Sequence, residues 1–164
     1  MTIKSHPPKV AYIADLDQDV DDFIAAIYLQ KSGALDYVVC DPEPVSEKGI
    51  TRKLKLEFRG VKFLSELQAD TTNVFSGGGL KPVLDYVEKG NKIDLLVMNG
   101  GFVGESLAED VLDEFKGKEF VRTFNFNLDV EVTDKVLTLP KKSLKKIVLV
   151  GKNVCHSHLN TTVL

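Results

Sequence analysis

Short apolar runs and stretches of helical spacing alternate from end to end of this chain. No other feature limits its folds as much. Val10-Ala11-Tyr12-Ile13-Ala14 is a run of the buried-strand type. Val20, Ile24, Ile27 and Tyr28 then recur at helical spacing, and Lys31-Ser32-Gly33 supplies a stop signal. Residues 35–40 read as a second strand, broken by Asp41-Pro42-Glu43-Pro44 because proline restricts its own backbone and that of its predecessor. A long helix is expected over 51–67, with Leu54, Phe58, Val61, Phe63 and Leu64 as its inner face. Strands are expected at 73–75, 93–98 and 147–150, and helices at 82–88, 107–115 and 130–137. Residues 121–127 alternate and are expected to be extended, and the lysine-rich stretch 141–146 to be a solvated loop.

The strands are short, apolar and rich in β-branched residues, as parallel strands buried on both faces are. The expected fold is therefore α/β, a mainly parallel open sheet with helices on both faces. At 164 residues the chain is long enough for one domain with a real core, expected over 9–164 after a flexible tail at 1–8. With 43% hydrophobic residues and 21 basic against 24 acidic side chains it has the composition of a globular protein, and its mild acidity gives no reason to expect nucleic acid. No run approaches the roughly 20 apolar residues of a membrane helix, so no membrane partner is expected. Met1-Thr2-Ile3-Lys4-Ser5-His6-Pro7-Pro8 lacks the apolar core of a secretory signal. Cys40 and Cys155 match no metal or disulfide spacing and read as reduced thiols of a cytoplasmic protein.

In an open α/β sheet, ligands bind at the carboxyl ends of the strands. The first such end leads into Asp15, Asp17, Asp19, Asp21 and Asp22, five carboxylates within eight residues. Helix capping and the helix dipole account for Asp19, Asp21 or Asp22. They account less well for Asp15 and Asp17, which alternate at the end of an apolar strand. Two like charges about 4 Å apart repel by roughly 4 kcal/mol at an effective dielectric of about 20, so a cation or a shared proton is expected to relieve the crowding. An all-oxygen set suits calcium or magnesium. The glycine run Ser76-Gly77-Gly78-Gly79 precedes a helix and could cradle an anion, but it lacks the lysine and hydroxyl of a P-loop and reads as a tight turn. His156 and His158 read as surface histidines rather than a metal pair, and His6 belongs to the tail.

The acidic stretch, Asp15-Leu16-Asp17-Gln18-Asp19-Val20-Asp21-Asp22, resembles the N-terminal signature of the nucleoside hydrolases, D-x-D-P-G-x-D-D between a first strand and a helix. Further pieces follow in the family's order. Phe75-Ser76-Gly77-Gly78-Gly79-Leu80-Lys81-Pro82 is similar to its glycine-rich turn. Leu96-Val97-Met98-Asn99-Gly100-Gly101 is similar to its strand ending in Met-Gly-Gly. Thr123-Phe124-Asn125 followed by Asp129-Val130-Glu131 is similar to its E-F-N and D-P-E segments, and residues 147–156 resemble a later strand ending in Thr-His. The resemblance implies a nucleoside-hydrolase-like core, a calcium ion and a nucleoside or other small ribosyl ligand. By motif position Asp17 would be the catalytic base and a metal ligand, Asp22 a second ligand and Asp15 their support. Asp21, Met98 and Asn125 would bind the sugar. In that family the metal activates a water that attacks the sugar carbon as the base departs.

The chain also departs from the pattern. Gln18-Asp19 replaces Pro-Gly, Cys40-Asp41 stands at the family's Gly-Asn, and Thr123 stands at the Glu of E-F-N. A segment with a calcium-binding threonine has no counterpart between Asp85 and Ile93, nor has the family's C-terminal part of the site. Two readings are therefore carried: calcium-dependent hydrolysis of an N-ribosidic bond, and a degenerate homologue that binds a cation or ribosyl ligand without turnover. The latter could act as an assembly subunit or homo-oligomer. A third is a magnesium-dependent phosphatase of the haloacid-dehalogenase type, with Asp15 as nucleophile and Asp17 as acid.

Overall fold

The sheet is assembled around β1 (Lys9–Ala14), whose side chains alternate between two buried faces. Ala11 and Ile13 enter one core, and Tyr12 and Ala14 the other. The computed structural model describes residues 9–15, 20–41, 61–104 and 111–154. After β1 come α1 (Val20–Lys31), β2 (Tyr37–Cys40), β3 (Lys62–Leu64), β4 (Thr71–Ser76), α2 (Lys81–Glu88) and β5 (Ile93–Asn99). A single 3-10 turn (Asp113–Phe115), α3 (Phe124–Leu128), α4 (Val130–Leu137) and β6 (Leu144–Val150) complete the order.

All six strands pair in parallel, in the order β3-β2-β1-β4-β5-β6. The chain thus grows outward from β1 on one side, then returns to lay β4 on the other. Helices cover both faces, as expected. Leu80, Val83, Leu84 and Tyr86 around α2 and Val136 of α4 pack on Ile13, Val39, Val74, Leu96 and Met98. Phe23, Ala26 and Ile27 of α1 pack on Tyr12, Ala14, Val38 and Cys40 of the opposite face. Ile24 and Tyr28, part of the helical spacing read from the sequence, point outward, and Tyr28 is 73% exposed.

Four expectations are corrected. The stretch expected as the end of a helix over 51–67 contains β3, which pairs with β2 at Tyr37↔Lys62 and Val38↔Phe63. A three-residue edge strand is too short to show alternation, and its Phe63 and Leu64 also satisfy a helical stripe. Of residues 121–127, only the part before α3 can be extended, as Thr123 is, because α3 begins at Phe124. There Phe124 is solvent-exposed while Phe126 lies against Gly100, so the alternation does not mark one face of a strand. Of the helix expected over 107–115, only the 3-10 turn at Asp113–Phe115 is seen among the described residues. Finally β6 starts at Leu144, so Lys145 and Lys146 belong to an edge strand, where lysines discourage further pairing. Expectations on the tail at 1–8, the Pro42–Pro44 break, residues 51–60 and 107–110, Cys155 and the histidines lie outside the described residues. No described helix is long and apolar enough to cross a membrane.

Candidate functional site at the strand ends

The neighbours β1 and β4 mark the point where the direction of winding reverses, and the crevice there is where open α/β sheets accept ligands. Three segments meet at this edge. The Gly77 and Gly78 N–H groups both donate to the Ile13 carbonyl, at 2.9 and 3.3 Å, and the Asp41 N–H donates to Ala14 O at 3.2 Å. The end of β1 is thereby held between the end of β2 and the glycine turn. The Ser76 hydroxyl closes the turn by donating to Gly78 O at 3.0 Å. Because the Gly77 and Gly78 donors are spent on Ile13, the run is the tight turn read from the sequence and not an anion cradle.

Asp22 is the pivot of the edge. It lies in the first turn of α1 and is 5% exposed. Its Oδ1 accepts from the Tyr12 hydroxyl at 2.7 Å and its Oδ2 from the Asp15 N–H at 2.6 Å. The carboxylate thus staples the start of α1 to the end of β1. Burial pushes its pKa up, the bonds from the Tyr12 hydroxyl and the Asp15 N–H pull it down by less, and the nearby Asp21 and Asp15 charges add to the rise. The staple depends on Gly77, where a Cβ would overlap both the Asp22 carboxylate and the Tyr12 hydroxyl. Asp41 is half-buried at the end of β2, with Oδ2 3.2 Å from where a Gly79 Cβ would stand, and burial pushes its pKa up too.

Beside this staple a cleft of about 340 Å³ opens between α1 and the ends of β4 and β5. Asp21, Asp22 and Met98 all border it, together with Tyr12, Phe75 and Asn99. Two of the acids singled out in the sequence therefore reach this cleft, whereas the Met98 side chain, 1% exposed, packs into the core on the opposite face of the sheet. Asp15 is buried behind the two acids and reaches the group through Asp22. Asn125 stands apart: its side-chain N–H donates to the Asn99 carbonyl at 2.9 Å, so that amide fastens α3 to the end of β5. Asp17 and Asp19 lie outside the described residues. Among the described residues no group of three or more His, Cys, Asp or Glu is placed to hold a metal ion. Asp15 and Asp22 supply hard oxygen donors but not a complete ligand set.

Tyr12, Gly77 and Asp41 join the site without having been singled out as site residues. Tyr12 carried one available signal, since a tyrosine inside an apolar strand needs a partner for its hydroxyl. Nothing in the spacing pairs it with an acid ten positions on.

No family model and no solved structure matches the chain. An uncharacterized protein of Aquifex aeolicus (strain VF5) is 29% identical over 110 residues, which cover 65% of this chain and 38% of that protein. The match spans well under half the length of that relative.

Proposed function

We propose that the protein is nucleoside-hydrolase-like and binds a ribosyl ligand, with a divalent cation, at the strand ends around β1 and β4. The observation that carries this reading is the meeting of Asp21 and Asp22 at a cleft beside the switch point. These are positions to which the sequence resemblance gives sugar or metal contacts. A cation there would be held by Asp15, Asp17 and Asp22, and would supply a polarised water and a grip on vicinal hydroxyls. Binding without turnover is the form the site favours. Asp22 spends an acceptor site of each oxygen on the protein itself, and Asn125 spends its amide on Asn99.

Thermal melting with calcium and a panel of nucleosides and free ribose tests the reading. The expected result is a rise in Tm that needs both calcium and the sugar and is lost in Asp21→Ala. A melting curve indifferent to calcium and to every nucleoside would overturn it. Release of free ribose, abolished in Asp17→Asn, would convert the binding protein into an N-ribohydrolase.

A further inference from the structure

A second cavity, of about 600 Å³, lies beyond Gly100 and Gly101, between the end of β6, α3, α4 and the 119–123 segment. Its size is that of a site for a small organic molecule. Phe102, Phe120 and Phe126 contribute rings and Leu149 an aliphatic wall. Phe126 reaches this position because Gly100 has no side chain, since a Cβ there would overlap the ring. Phe120 is 89% exposed, an aromatic surface left in water at the rim.

The polar groups of this cavity divide into two sets. The Thr133 hydroxyl donates to Phe126 O at 3.1 Å and the Asn127 amide to Thr123 O at 2.7 Å, so both serve the protein. The Glu119 and Asp134 carboxylates border the same cavity, and among the described residues neither forms an ion pair. No described lysine or arginine lines it. Aromatic faces attract cations, and two carboxylates with no opposing base add a net negative field. An anion would be repelled, and a neutral apolar molecule would gain nothing from the two acids.

We propose that this cavity is a binding site for an organic cation, a primary or quaternary ammonium carried on an apolar body. The ammonium is set toward Glu119 and Asp134, and the apolar body lies on the phenylalanine rings. The site is separate from the ribosyl reading: Asn99 borders the cleft beside Asp22, whereas Gly100 and Gly101 border this one.

Titration of the full chain, followed by amide NMR shifts, tests the assignment with phenethylamine and benzyltrimethylammonium as probes. The neutral 2-phenylethanol and the anionic 3-phenylpropionate are the controls. At least one cation is expected to bind saturably, about tenfold tighter than either control, and to weaken about tenfold in Glu119→Gln/Asp134→Asn. Both acids are exposed, so the double variant keeps the fold, and its circular dichroism verifies that. Phe120→Ala should weaken binding as well, without altering the melting temperature. Equal binding of the neutral or anionic control overturns the proposal. So does indifference to the acid variants, or the absence of saturable binding by both cations up to roughly 10 mM. None of these outcomes touches the calcium and nucleoside response, so the two readings fail separately.

Discussion

Gly77 shows how much of the site rests on one missing side chain. In Gly77→Ala the new methyl group competes with the Asp22 carboxylate and the Tyr12 hydroxyl for one volume. Something must move, and what moves loses a buried hydrogen bond. The expected cost is about 3 kcal/mol, read as a lower urea midpoint at unchanged slope. Tyr12→Phe keeps the ring and removes one donor, and should cost about 1–2 kcal/mol. Asp22 itself makes a pH prediction. Its folded pKa lies above the ordinary carboxylate value, so the folded state holds this proton more firmly than the unfolded chain. The stability it contributes is fully present below the ordinary value, near pH 4, and is lost as pH rises through the raised one. Asp22→Asn should abolish that component, because an asparagine can accept from Asp15 N–H and donate to the Tyr12 oxygen at any pH. Urea unfolding of both proteins with a chelator present, from about pH 4 to 7, checks it: the difference should shrink or change sign across the window. The acids were legible as a cluster in the sequence. Their arrangement was not, because which acid turns inward depends on where the first turn of α1 meets the end of β1.

Among the elements, α3 and α4 draw on different sources of stability. Asp129 caps α4, accepting from the Val132 N–H at 3.0 Å, a local arrangement written in Asp129-Val130-Glu131. The five-residue α3 has no side-chain cap and is fixed from outside, by Asn125 on Asn99 and Phe126 on Gly100. Asp129→Ala should cost about 1 kcal/mol through the lost cap. Asn125→Ala should cost about 1–2 kcal/mol and also loosen residues 124–128, seen as faster amide exchange confined to that stretch. The same difference explains what could be read beforehand. Residues 130–137 were legible as a helix ahead of Pro140, and the structure adds the Asp129 cap. Residues 121–127 alternated like a strand, and only contacts with β5, distant in sequence, turned part of them into a helix. At β3 the reason is length, since three residues hold too few positions to separate a period of two from one of 3.6.

For the molecule as a whole, the alternation of apolar runs and helical spacing was enough for a parallel sheet covered on both faces. Val10–Ala14, residues 35–40 and 93–98 needed no tertiary information to be read as strands. Strand order was not legible, because in a parallel sheet the neighbours are chosen by the crossovers and not by local pattern. That order also sets a sequence of events in time. Asn73 of β4 pairs with Leu95 of β5 through a short crossover, and Ala11 of β1 with Tyr37 of β2 likewise, whereas Lys9 of β1 must find Thr71 of β4 from far along the chain. Closing the longest loop costs the most entropy before any contact rewards it. The two halves of the sheet should therefore form before they join. Val74→Ala, in the half built by β4 and β5, should slow refolding, and Tyr12→Phe, at the seam, should mainly speed unfolding, as stopped-flow refolding and unfolding arms would show. The candidate binding edge lies on that seam, so it is the last part of the molecule to exist, and a ligand that grips both sides of it would act as a brake on unfolding.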